Sequence, residues 1–163
     1  MRRLAIVLLV VGCGTETPTA ICVTRCGLSY QGRVTTRAAD YTCEEIQRTE
    51  DRLVAAISPQ YPAACTALRG WDLWSHAEPS WVDYWGRSVA GLTNCKNFQS
   101  EIGLAAIGSS ALAHEMTHMV QSCYGGSAPF DQGMDGYHGD WVRRGLFTLI
   151  DTVNTESVPR VQP

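Results

Sequence analysis

Residues 114–118 read His114-Glu115-Met116-Thr117-His118, the pattern H-E-x-x-H. Side chains four apart on an α-helix lie on one face, so both imidazoles can reach one metal ion. Glu115 lies one residue round, beside the metal rather than on it, where a carboxylate can accept a proton from water. Zinc suits such a pair, because catalytic zinc takes three protein ligands and leaves a fourth position for water. It brings the ionisation of that water from about pH 16 to about pH 7. Glu115 is then placed to take the proton and pass it to a leaving amine. The chemistry implied is metal-assisted hydrolysis of a peptide bond, with one Zn2+ per chain.

A third ligand must come from elsewhere. The chain has four histidines, of which two are in the pattern and His76 lies upstream in a Trp-rich stretch. His138 follows His118 by 20 residues, at the end of a glycine-rich loop long enough to bring it back to the helix. Three imidazoles plus water make a suitable zinc site, so His138 is the expected third ligand. Asp135 is the first alternative, followed by Asp131 and Asp140. An acid that does not ligate, such as Asp140, can accept the second N–H of a ligating histidine. Tyr137 and Tyr124 are candidate donors to the oxyanion of the tetrahedral intermediate, and His76 is a weaker one. Each has packing as its simpler role.

The elements that must position these groups follow from periodicity and punctuation. From Ser109 to Cys123 the only charged residue is Glu115, and neither proline nor glycine intervenes. Leu112, Met116, Met119, Val120 and Cys123 form an apolar stripe away from the histidines, which predicts a helix buried between core and cleft. Ser109 or Ser110 is placed to cap it, and Gly125-Gly126 to end it. Thr42 and Glu45 have capping-box spacing for an earlier helix to about Ile57, with Ile46, Leu53, Val54 and Ile57 facing the core. Ser58-Pro59 and Pro62 stop that helix. Residues 27–40 read as loop or short strands, 68–76 and 81–94 as strands rich in Trp, Tyr and Val, and 98–104 as a half-buried or edge strand. A last helix is expected from about Asp140 to Asn154, with Val142, Leu146, Leu149, Ile150 and Val153 on one face. The five tryptophans are expected at the core and rim of the sheet. The fold class is α+β: a small single domain with a short mixed or antiparallel sheet, an active-site helix and a C-terminal helix.

With these residues in place, the chain resembles the zincin metallopeptidases, whose active-site helix carries H-E-x-x-H among uncharged neighbours. The resemblance covers that helix and, more loosely, the strand before it. It implies that a strand ahead of the helix borders the cleft and pairs with extended substrate, which here assigns Glu101, Ile102, Gly103, Leu104 and Ala105. No subfamily fits. Gln121 and Tyr124 stand where a metzincin needs glycine and histidine. Glu156 lies beyond the expected last helix, too far along for the gluzincin ligand. Residues 133–139 match the aspzincin segment only faintly.

Composition bounds the remaining possibilities. In 163 residues, 45% apolar and 18% charged, there is enough core for one domain and no sign of disorder. A net charge of −3 without a basic tract argues against nucleic-acid binding. Met1-Arg2-Arg3 and the apolar run Leu4–Val11 form a signal peptide, too short for a membrane span. Val10-Val11-Gly12-Cys13 resembles a bacterial lipobox, which implies residues 1–12 as signal peptide, lipidation of Cys13, a tether over 13–21, a domain over 22–158 and a tail over 159–163. Cleavage near Ala20 by an ordinary secretory route is the alternative. Either route exports the protein, to the bacterial cell envelope or beyond. The membrane is reached by the lipid alone, and a monomer is expected.

Removing Cys13 leaves an even set of six, Cys22, Cys26, Cys43, Cys65, Cys95 and Cys123, expected as three disulfides. Cys22 and Cys26 are expected to tie down the N-terminal segment, and Cys95 and Cys123 to bracket the metal helix. Half of a zinc site at Cys22 and Cys26 is the alternative for that pair. The whole reads as a secreted or lipid-anchored zinc metalloendopeptidase acting on peptide or protein. A non-catalytic zinc-bearing or partner-binding surface lipoprotein is the rival.

Overall fold

The computed structural model describes residues 20–32, 41–76, 78, 80–84, 86–103, 111–124 and 144–158. Helix α1 spans Cys43–Ile57 and starts where the spacing predicts. Thr42 Oγ1 accepts from Glu45 N at 3.2 Å, and the Glu45 carboxylate accepts from Thr42 N at 2.7 Å, a complete capping box. Ile46, Leu53 and Ile57 are fully buried, and Val54 packs beside them. A one-turn helix α2, Ala64–Ala67, follows the prolines; it is too short to carry a periodic signal.

Five strands form a mixed sheet: β1 (Ala20–Val23), β2 (Ser29–Gly32), β3 (Asp72–Ser75), β6 (Gly91–Asn94) and β7 (Gln99–Ile102), in the order β1-β2-β3-β7-β6. The β2–β3 and β3–β7 pairs are parallel, and β1–β2 and β6–β7 are antiparallel. The strand expected over 81–94 is broken. Its first part forms a separate hairpin of β4 (Trp81–Val82) and β5 (Ser88–Val89). Asp83 makes that turn, its carboxylate accepting from Arg87 N at 2.9 Å and Arg87 Nε at 2.8 Å.

Helix α3 (Ala111–Tyr124) lies against β6 and β7, and α1, α3 and the last helix, α4 (Leu146–Ser157), pack on one another. Between sheet and helices sit Tyr30, Trp71, Leu73, Ile102 and the stripe Leu112, Met116, Met119 and Val120, all fully buried. Each such side chain contributes roughly 1.5–3 kcal/mol relative to exposure. The architecture is thus α+β, with four helices among the described residues. Arg144 is helical, but Gly145 takes the left-handed conformation (φ 67°) and divides the helix expected from Asp140, so that α4 begins at Leu146. It also runs three residues past Asn154. Residues 140–143 lie outside the described part.

Two disulfides join Cys22 to Cys43 and Cys26 to Cys65, so both N-terminal cysteines do tie their segment down, onto α1 and α2. This pairing removes Cys22 and Cys26 as half of a zinc site. The Cys123 side chain lies outside the described part, and with it the expected bracket to Cys95. Cys13 also lies outside it. No helix among the described residues is long and apolar enough to cross a membrane.

Candidate metal centre

The run after residue 109, charged only at Glu115, allows α3 to bury its apolar stripe and leave His114 and His118 half-buried on the other side. The two rings meet at 72° with centroids 4.8 Å apart, and Phe147 of α4 stands beside His114. Their Nε2 atoms approach to 3.1 Å. Two lone pairs at that separation repel unless a proton or a cation lies between them. Two imidazole ligands of a tetrahedral zinc stand about 3.3 Å apart, given Zn–N bonds near 2.0–2.1 Å. The pair therefore fits such an ion. His114, Glu115 and His118 offer ligand atoms that all lie within 4.8 Å of one another, the group among the described residues able to hold a metal.

Glu115 is buried, 5% exposed, and turns its carboxylate toward the sheet. Burial pushes its pKa up from 4.5 to about 7, against the downward pull of the Thr93 hydroxyl, which donates to Oε2 at 2.6 Å. Gly91 gives the carboxylate room: a Cβ there would overlap Oε1 and lie 2.6 Å from Cγ and Cδ. Gly91 and Thr93 belong to β6, which is at the edge of the sheet among the described residues. Sequence reading missed both, because a strand 22 residues upstream gives no local sign of which carboxylate it will meet.

The assignment of Glu101 and Ile102 as a substrate-pairing edge is corrected by this register. Strand β7 is flanked on both sides, with Glu101 opposite Trp74 and Leu92, and Ile102 opposite Ser75 and Gly91. Gly103 N is taken up by Ala90 O at 2.7 Å. An alternating strand can be half-buried either at an edge or inside a sheet, and alternation alone does not separate the two. Leu104 and Ala105 lie outside the described residues.

His138, Asp131, Asp135, Tyr137 and Asp140 also lie outside the described residues, as does the side chain of Tyr124. His76 is brought not to the histidine pair but onto Trp81, stacked at 4.2 Å between centroids. Trp71 is in the core and Trp74 half-buried, as expected of the sheet's tryptophans.

The start of α3 is held from a distance. Ala113 N, in the first described turn of α3, donates to Oδ1 of the buried Asn154 of α4 at 2.9 Å. Asn154→Ala is expected to lower the unfolding free energy by about 1–3 kcal/mol in urea titrations. Asn154→Asp keeps an acceptor, now charged, at a helix N-terminus and is expected to lose less. Equal losses in both variants would contradict the capping role.

In comparisons with known proteins, no family model matches the chain, no curated protein matches it and no solved structure matches it.

Proposed function

We propose that the chain is a zinc-dependent endopeptidase of the zincin type. One observation carries this reading. Two imidazole nitrogens converge to 3.1 Å while the carboxylate between them in sequence is held nearby and buried. His114 and His118 would hold the ion, with His138 as third ligand and Asp135 as its alternative. Zinc bound there supplies Lewis acidity that eases the ionisation of water. Glu115, buried beside the histidine pair, is placed to take a proton from water and return it to the departing amine. An extended peptide would lie along β6, whose outer side has no neighbouring strand among the described residues.

Export and a lipid anchor at Cys13 belong to the same proposal, and the two disulfides favour an oxidising compartment. The test is metal analysis of the purified chain together with digestion of a peptide library. About one zinc per chain is expected, with cleavage that a chelator stops and zinc restores. Absence of zinc would end the proposal. Bound zinc with no cleavage of any peptide would favour the non-catalytic lipoprotein instead.

A further inference from the structure

We infer that Thr93 is a positioning residue for Glu115, and that β6 links docking of a peptide main chain to the aim of that carboxylate. The inference rests on the hydrolytic reading above. Thr93 Oγ1 is 2.6 Å from Glu115 Oε2 and 2.9 Å from Ser100 Oγ, and Ser100 Oγ is 3.2 Å from Leu92 O. Each hydroxyl has one proton to give. When Thr93 donates to the carboxylate, Ser100 can still donate to Thr93, giving the chain Ser100 to Thr93 to Glu115. Ser100 is buried on β7, so the far end of this chain is fixed in the sheet interior. Gly91 completes the slot, since any side chain there would overlap the Glu115 carboxyl.

The register gives the slot a second face. Ala90 O accepts from Gly103 N, so Ala90 and Gly103 form a hydrogen-bonded antiparallel pair. Such pairs alternate along the strand, which turns the main-chain groups of Leu92 toward β7 and those of Gly91 and Thr93 away from it. The other side of β7 agrees. Asp72 N donates to Phe98 O and His76 N to Ile102 O, which directs the main chain of 98, 100 and 102 toward β3. Thr93 and Ser100 are therefore a non-hydrogen-bonded pair, the closer kind, consistent with their 2.9 Å hydroxyl contact. Gly91 and Thr93 thus confine Glu115 while directing their N–H and C=O groups to the outer side of β6, the sheet edge among the described residues. A peptide strand added there would immobilise the two residues that aim the carboxylate.

The test compares Thr93→Val, which keeps the shape and removes the hydroxyl, with Thr93→Ser, which restores the donor. With zinc bound, Thr93→Val is expected to lower kcat by about 10- to 100-fold, leaving zinc content unchanged and KM within about twofold, as loss of a supporting hydrogen bond does elsewhere. Thr93→Ser should recover most of the kcat. In crystals of the metal-free chain, the Glu115 carboxyl should leave β6 in the Val variant and keep its place in the Ser variant. An unmoved carboxyl in Thr93→Val, or equal kcat losses in both variants, would overturn the inference. If the unaltered chain binds zinc yet cleaves nothing, the hydrolytic reading fails on its own, and the two crystal structures alone then decide whether Thr93 positions Glu115.

Discussion

Glu115→Gln is expected to leave about one zinc per chain and to reduce peptide cleavage by about three orders of magnitude, within the range for loss of a general base. The amide keeps the shape of the carboxyl and can still accept from Thr93, so the slot between Gly91 and α3 stays filled. What it loses is the ability to hold a proton. The same substitution makes a separate forecast for the metal-free chain. Glu115 has a raised folded-state pKa, so the folded chain binds its proton more tightly than the unfolded chain does. Its contribution is then fully present below about pH 4.5 and is lost as pH rises to about 7. The loss over that window is on the order of 3 kcal/mol. Urea titrations of the chelated protein across this window should show the decline, and Glu115→Gln should remove that component. Cleavage retained by the zinc-loaded Gln variant would falsify the assignment of Glu115 as base.

These expectations reach back unevenly into the sequence. The histidine pair and Glu115 were legible because their geometry is local: one helical turn sets it, and a run with no other charge marks the helix as buried. The Thr42–Glu45 box was legible for the same reason, since both partners lie within one turn of α1. Thr93, Gly91 and Asn154 were not. Each acts on α3 through contacts across 22 to 41 residues, and none sits in a pattern of its own. Period-two alternation predicts β7 and its buried Ser100 and Ile102, yet it says nothing about neighbours and so does not separate an interior strand from an edge. Gly145 gives no local sign of a break, since a lone glycine inside a helical pattern is tolerated; only its positive φ divides the expected helix.

The two disulfides should contribute strongly to the stability of the N-terminal half, and the longer loop should matter more. Cys22–Cys43 spans 21 residues and Cys26–Cys65 spans 39. Chain entropy assigns them about 3 and about 4 kcal/mol. The loops overlap, so their sum is an upper bound, but it is comparable to the whole stability of a typical domain, about 5–15 kcal/mol. A buried carboxylate makes the dependence sharper. Glu50 accepts from Thr24 Oγ1, from Cys26 N at 3.1 Å and from Gln47 Nε2 at 3.1 Å, which fastens the Thr24–Leu28 turn to α1. With Cys26 released, that turn can leave, and Glu50 would lose two of these donors while still buried, a further penalty of about 1–3 kcal/mol. Cys26→Ala/Cys65→Ala should therefore lower the denaturant midpoint more than Cys22→Ala/Cys43→Ala, and the fourfold variant should be largely unfolded at 37 °C. Since α1 packs on α3, unfolding of this half should also release zinc from the histidine pair, readable with a chromophoric chelator. A fourfold variant with an unchanged midpoint would show that packing of Leu28, Tyr30 and Ile46, rather than the cross-links, holds the N-terminal hairpin in place.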